Sequence, residues 1–132
     1  MNSLEIVKQA AHTQMGANAD MDTFLKKLVG WTKKANNKLI QIGNTVFLVT
    51  LINPQTCQVS ILNADSEPNL INNIKGIAKT LKSQGIKKMT GYANDKKYLD
   101  LAKKTQLPFK IKQGQGMAQD SAVPAYVFEL DL

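Results

Sequence analysis

The stretch KLIQIGNTVFLVTLINPQTCQVSIL, residues 38 to 62, decides the fold. Lys38 to Ile42 reads as a short strand, and the run Thr45 to Ile52 is rich in β-branched and large apolar residues. Gly43 and Asn44 between them tolerate the positive φ of a tight hairpin turn. Asn53-Pro54-Gln55-Thr56 is a second turn, with proline presetting φ and the asparagine side chain able to bond the backbone beyond it. Cys57 to Leu62 is then a third strand, so the three strands form an antiparallel meander.

Downstream, Asn63 to Asn69 (NADSEPN) is a loop leading into a helix on which Leu70, Ile74, Ile77, Ala78 and Leu81 share one face. Gly85 ends that helix as its left-handed residue. Ile86 to Tyr92 is a fourth strand. Asn94 or Asp95 starts a short helix that turns Tyr98, Leu101 and Ala102 inward and stops at Leu107-Pro108. Phe109 to Lys112 is a fifth strand, the glycine-rich GQGMAQDSAVP is a loop, and Ala125 to Leu130 is the last strand. Gly114-Gln115-Gly116 opens no apolar helix, so it is read as a flexible connection rather than a phosphate cradle.

Upstream, Asn2 caps a first helix with Glu5 completing a capping-box pair. Leu4, Val7, Ala10 and Ala11 share its inner face, and it ends near Gly16. A second helix begins at Asp20 or Asp22 and carries Met21, Phe24, Leu25, Leu28 and Trp31 as a core-facing stripe. The order is α-α-β-β-β-α-β-α-β-β. The expected class is α/β (α+β): a mixed, mostly antiparallel sheet with helices on both faces, formed by residues 1–132 as one domain.

Composition narrows the function classes. One cysteine, Cys57, gives no internal disulfide, and with one histidine, His12, no Cys/His zinc site can be assembled. Cys57 is read as a buried thiol and His12 as a surface or packing residue. The longest apolar run is too short to span a bilayer, and the N-terminus lacks a signal-peptide block, so neither export nor a membrane span is expected. The net charge is +7, and the excess lies between Lys75 and Lys112, where eleven lysines face only Asp95 and Asp100, a local balance of +9. Such a field favours a polyanion or an acidic protein surface. All seventeen basic residues are lysine, so the bidentate guanidinium forks that read guanine edges are absent and sequence-specific DNA reading is disfavoured.

The element order resembles the GNAT acyltransferase fold from the first helix to the last strand, lacking only an initial strand. The segment from Leu70 to Ile111 is the most similar part, with helix, Gly85, strand, Asn94, short helix and Phe109 in sequence. In catalytic GNAT members the chain leaving the meander's last strand carries a glycine-rich loop that holds the pyrophosphate of acetyl-CoA at a helix N-terminus. Here that place reads Asn63-Ala64-Asp65-Ser66-Glu67-Pro68-Asn69: no glycine, two carboxylates, and a proline that removes a donor. The family's tyrosine, about seven residues after the asparagine, would fall on Leu101; Tyr98 is the nearest phenol, while Gln106 and Phe109 stand where a small residue and an aromatic commonly follow. Residues 37 to 64 contain no Asp, Glu or His to serve as general base.

The resemblance also extends to small, basic GNAT-like internal proteins of short-tailed bacteriophages. It implies a non-catalytic assembly or interaction protein, located in a virion or in host cytoplasm. Its partners would be proteins, copies of itself included, with sequence-independent DNA contact. No catalytic, cofactor-binding or metal-ligating residue is expected on this reading. The interaction surface would be a basic face of Lys75, Lys79, Lys82, Lys87, Lys88, Lys96, Lys97, Lys103 and Lys104, and the apolar faces of the first two helices would dock a neighbouring subunit. The alternative is an acyl-CoA-dependent N-acetyltransferase with an atypical cofactor loop, binding acetyl-CoA beside the strand Cys57 to Leu62 near Asn94 and Tyr98.

Overall fold

The meander forms where its turns dictate. A computed structural model describes residues 1–15, 20–93, 96–118 and 121–132. In it β1 (Asn37–Ile42), β2 (Thr45–Asn53) and β3 (Thr56–Asn63) pair antiparallel in succession. Gly43 takes φ +58° at the first turn, a backbone region that costs a side-chain-bearing residue strain. At the second turn the Asn53 side chain accepts from the Gln55 backbone N–H at 2.9 Å. β4 (Lys88–Ala93) lies parallel to β3, with α3 (Glu67–Ser83) as the crossover; β6 (Ser121–Asp131) and β5 (Lys110–Ala118) follow antiparallel. The sheet order is β1-β2-β3-β4-β6-β5, and α4 (Lys97–Lys104) links β4 to β5.

Strand alternation sorts the core into two layers. Phe47, Val49, Cys57 and Val59 point to one face, where α3 buries Leu70, Ile74, Ile77, Ala78 and Leu81 and α4 adds Leu101. Val46 points to the other face, beside partly buried Leu48 and Leu62, and meets Ile6 and Val7 of α1 (Ser3–Met15). Gly85, with φ +87°, ends the crossover as its spacing predicts. Ile86 is buried beneath it, and the N–H groups of both Lys87 and Lys88 donate to Gln55 O, so β4 starts two residues later than the pattern suggests.

Three expectations need correction. Residues 114 to 118 are not a loop: they continue β5, paired with β6 through Gly114↔Ala125, Gln115↔Pro124 and Gly116↔Val123. Pro124 is tolerated because the β4 ladder stops at Ala93↔Tyr126, so β6 no longer needs a donor on that side. On α1 the inner face consists of Ile6, Val7, Ala10 and Ala11, while Leu4, at the edge of the stripe in the first turn, is 52% exposed. That face is consumed by packing on β2 and β3 and cannot dock a neighbour. On α2 (Met21–Thr32), capped by Asp20, the stripe lies at the expected spacing but only partly buried: Phe24, Leu25 and Leu28 pack against the Ile6, Val7 and Val46 cluster, and no residue of the helix is fully enclosed. Asp20 accepts from Thr23 through both carboxylate oxygens, and the Thr23 hydroxyl holds its pKa below the usual carboxylate range. Gly16, Asn94 and Asp95, expected at helix ends, lie outside the described residues.

Candidate functional site: a cleft between two parallel strands

β3 and β4 share only three rungs, Thr56↔Lys88, Cys57↔Met89 and Gln58↔Thr90. Beyond them each strand follows its outer neighbour: β3 stays registered with β2 to Thr45↔Asn63, and β4 with β6 to Ala93↔Tyr126. Sheet twist carries the two apart, and alternate peptide groups that a complete parallel ladder would use face the gap. The resulting cleft, about 310 Å³, is walled by Val59, Ser60 and Ile61 on one side and by Thr90 through Ala93 on the other. Its floor is Phe47, Ile74 and Ile77, and α4 contributes Tyr98, Leu101, Ala102 and Thr105. The Thr105 hydroxyl is satisfied internally, donating to Ala102 O at 2.6 Å, and Phe128 is braced by an edge-to-face contact with Phe109 at 6.4 Å. Among the described residues no Asp, Glu, His or Lys lines this cleft. Gly91 sits where the strands begin to part, and a Cβ there would stand 3.3 Å from Val59 O.

A second cleft of about 340 Å³ shares Ile61, Tyr98 and Leu101 with the first, so the two are contiguous. Its lining adds charged and polar side chains that the first lacks: Thr13, Asn63, Glu67, Lys97, Asp100 and Lys104. Lys104 Nζ donates to Glu67 Oε1 at 2.5 Å, with both side chains about half exposed at 56% and 52%. The Glu67 carboxylate raises the Lys104 pKa. Lys97 Nζ stands 5.2 Å from the Tyr98 ring centroid, within cation–π range.

The β3–α3 loop beside this second cleft is folded onto itself. The Ala64 N–H donates to Asn44 O at 2.9 Å and the Asp65 N–H to Asn63 Oδ1 at 3.0 Å. Asp65 Oδ2 accepts from the Asn44 N–H at 2.8 Å and from Asn73 Nδ2 at 2.8 Å, which ties the loop to the β1–β2 turn. Asn73 Nδ2 also donates to Thr45 Oγ1 at 3.0 Å, and the Thr45 hydroxyl donates to Asn63 Oδ1 at 2.8 Å. Pro68 stands in the first turn of α3 without an N–H. The Ala64 and Asp65 N–H groups are thus engaged and Pro68 has none, which leaves this loop fewer backbone donors for an anion than a glycine-rich one.

Tyr98 lies in both clefts, as an inward-facing residue should. The nine lysines read as one basic face stand on α3, β4, α4 and the residues beside them. Lys88 opens β4 opposite Thr56 at the closed end of the cleft, about 16 Å along the strand from Ala93 at the mouth. Lys97 and Lys104 line the second cleft at the open end. Lys79, Lys82, Lys87, Lys96 and Lys103 are exposed, and Lys75 and Lys88 half-buried. Sequence reasoning missed the Asp65–Asn73 lock, though a signal existed: Asn73 is a polar residue between Leu70 and Ile77 on an otherwise apolar stripe, and only a buried hydrogen-bonding task explains it. Cys57, fully buried, has its thiol pushed up to about 11 by desolvation. Among the described residues no group of three or more His, Cys, Asp or Glu is placed to hold a metal, and no helix is long and apolar enough to cross a membrane.

No protein-family model matches the sequence, and no curated protein matches it. Solved structures do match. A spermidine N-acetyltransferase chimera from Vibrio cholerae superimposes with a TM-score of 0.69 at 10% identity, over 97% of this chain and 89% of that one. The Campylobacter jejuni N-acetyltransferase PseH gives 0.59 at 18% identity over 99% and 92%. A GNAT family acetyltransferase from Elizabethkingia anophelis, solved with acetyl-CoA bound, gives 0.56 at 9% identity over 81% and 82%. The chain therefore has a GNAT-like fold: a mixed, mostly antiparallel six-stranded sheet with four helices.

Proposed function

We propose that this chain is an acyl-thioester-binding protein of the N-acyltransferase type, with residues 1–132 acting as one unit. The parting of β3 from β4 after Gln58↔Thr90 carries this reading. A narrow, largely apolar slot edged by backbone peptide groups suits a linear chain with amides at intervals, which is the chemistry of a pantetheine arm. That the neighbours share this fold, one with acetyl-CoA bound, supports the same reading. In the transfer, an acceptor amine attacks the thioester carbonyl; a C–N bond forms, the C–S bond breaks, and the amine's proton is lost as the thiolate gains one. We assign the protonation of that thiolate to the hydroxyl of Tyr98, whose lining of both clefts supports the role. With no carboxylate or imidazole among the described residues that line the inner cleft, the amine enters neutral or loses its proton to water. The test is an acetyl-transfer assay with polyamine and peptide acceptors. Tyr98→Phe should lower kcat at least tenfold with KM little changed; unchanged kcat would remove Tyr98 from the chemistry.

The closed β3–α3 loop favours a second reading. On it the chain is a non-catalytic assembly protein of a phage particle or its host cytoplasm, contacting protein partners or DNA through its lysines. Binding that ignores every thioester, together with salt-sensitive, sequence-independent DNA affinity, supports that reading against the first.

A further inference from the structure

The inner cleft and the phosphate end of this molecule point to different ligands. The inner cleft has a largely apolar lining that suits a pantetheine arm. The outer cleft opposes the adenylate half of coenzyme A. Ala64 and Asp65 have spent their N–H groups within the chain, Pro68 has none, and the Glu67 carboxylate stands in the first turn of α3. A pyrophosphate would have to displace the Asn63–Asp65–Asn73 lock and sit against that carboxylate. The single phosphodiester of a carrier-borne arm brings half the charge of that pyrophosphate, and Lys97 and Lys104 line the outer cleft contiguous with the inner one, where Lys104 can exchange its Glu67 partner for the phosphate. Lysine meets a phosphate as a point charge without needing a backbone cradle. Around that mouth Lys96 and Lys103 are exposed on or beside α4, within the segment whose local balance is +9.

We propose, on the premise that the cleft takes an acyl thioester, that the donor is a 4′-phosphopantetheine thioester carried on an acidic carrier protein rather than free acyl-CoA. The arm threads from the α4 side, its phosphate meets Lys97 and Lys104, and the carrier's acidic helix rests on the lysines of α4. The carrier supplies affinity through charge complementarity, which compensates for the missing adenylate contacts.

The experiment titrates the full chain with acetyl-CoA, S-acetyl-4′-phosphopantetheine, S-acetylpantetheine and an acetylated holo acyl carrier protein. The expected result has three parts. The phosphopantetheine thioester binds within about threefold of acetyl-CoA, because the adenylate half adds nothing. The carrier binds at least about tenfold more tightly than the free arm at low salt and loses that advantage as salt rises. Lys96→Glu with Lys103→Glu removes the carrier's advantage while S-acetyl-4′-phosphopantetheine binds as before, which also shows that the variant is folded. Acetyl-CoA binding about tenfold or more above the phosphopantetheine thioester, with adenosine 3′,5′-bisphosphate competing, overturns the inference and leaves the acyltransferase reading standing. A carrier that binds no better than the free arm, or whose affinity ignores the charge reversals, also overturns it. Failure of all four ligands to bind overturns both.

Discussion

Asn73 shows how one side chain can decide what a loop does. It is buried on the face of α3 that otherwise holds Leu70, Ile74 and Ile77, and its amide joins Asp65 to Thr45. Asn73→Ala should cost about 1–3 kcal/mol, because Asp65 and Thr45 lose a donor inside the protein; urea unfolding measures it, and an unchanged midpoint would mean the lock is solvated. Gly43 belongs to the same arrangement, since a Cβ there would stand 2.9 Å from Asp65 Oδ2 at a positive φ. Cys57 supplies a pH-dependent check. Its folded thiol has a pKa of about 11, above the ~8.5 of a free thiol. The proton is held more tightly when folded, so this contribution to stability is complete below about pH 8.5 and fades as pH rises toward 11. At pH 8, alkylation of Cys57 should be at least about 100-fold slower than that of a free thiol. Fast labelling under native conditions would contradict the burial. At this scale the sequence was legible where a residue's type and spacing agree, as with Gly85 and Cys57. It was opaque where a polar residue's partner is far along the chain: Asn73 and Thr45 are 28 positions apart.

Elements were legible wherever periodicity was strong. The meander, α3 and α4 all stand within a few residues of their patterns because alternation and the 3.6-residue stripe are local properties. The β5–β6 hairpin was not, since Gly114, Gly116 and Pro124 carry turn signals that pairing overrides. Each sits in a register position where the partner strand, not local propensity, sets the backbone. The cleft was equally hidden, as no sequence feature marks Gln58↔Thr90 as the last rung. The β3–α3 loop was readable by composition, and the geometry adds that two of its N–H groups are engaged within the chain. Glu67→Gln together with Pro68→Ala removes a carboxylate and restores a backbone donor at the start of α3. This change should raise acetyl-CoA affinity about tenfold, the worth of one charge-assisted hydrogen bond. Isothermal titration of both proteins reads it, and equal affinities would mean that the phosphate end contacts another part of the chain.

At the scale of the whole molecule, a GNAT-like sheet survives at 9% to 18% identity to the structures named above because the fold needs only the pattern of burial. The functional site needs more than that. Here a slot opens between β3 and β4, the β3–α3 loop is tied to the β1–β2 turn, and lysines stand from the closed end of the slot to α4. The central claim is that this slot receives an acyl-pantetheine arm. The most direct measurement is titration of the protein with S-acetylpantetheine, a neutral ligand, alongside an Ala93→Trp variant that fills the cleft at the end of β4. The account predicts saturable one-to-one binding that is insensitive to salt and is lost in the folded variant; no saturable binding, or equal binding by both proteins, would contradict it.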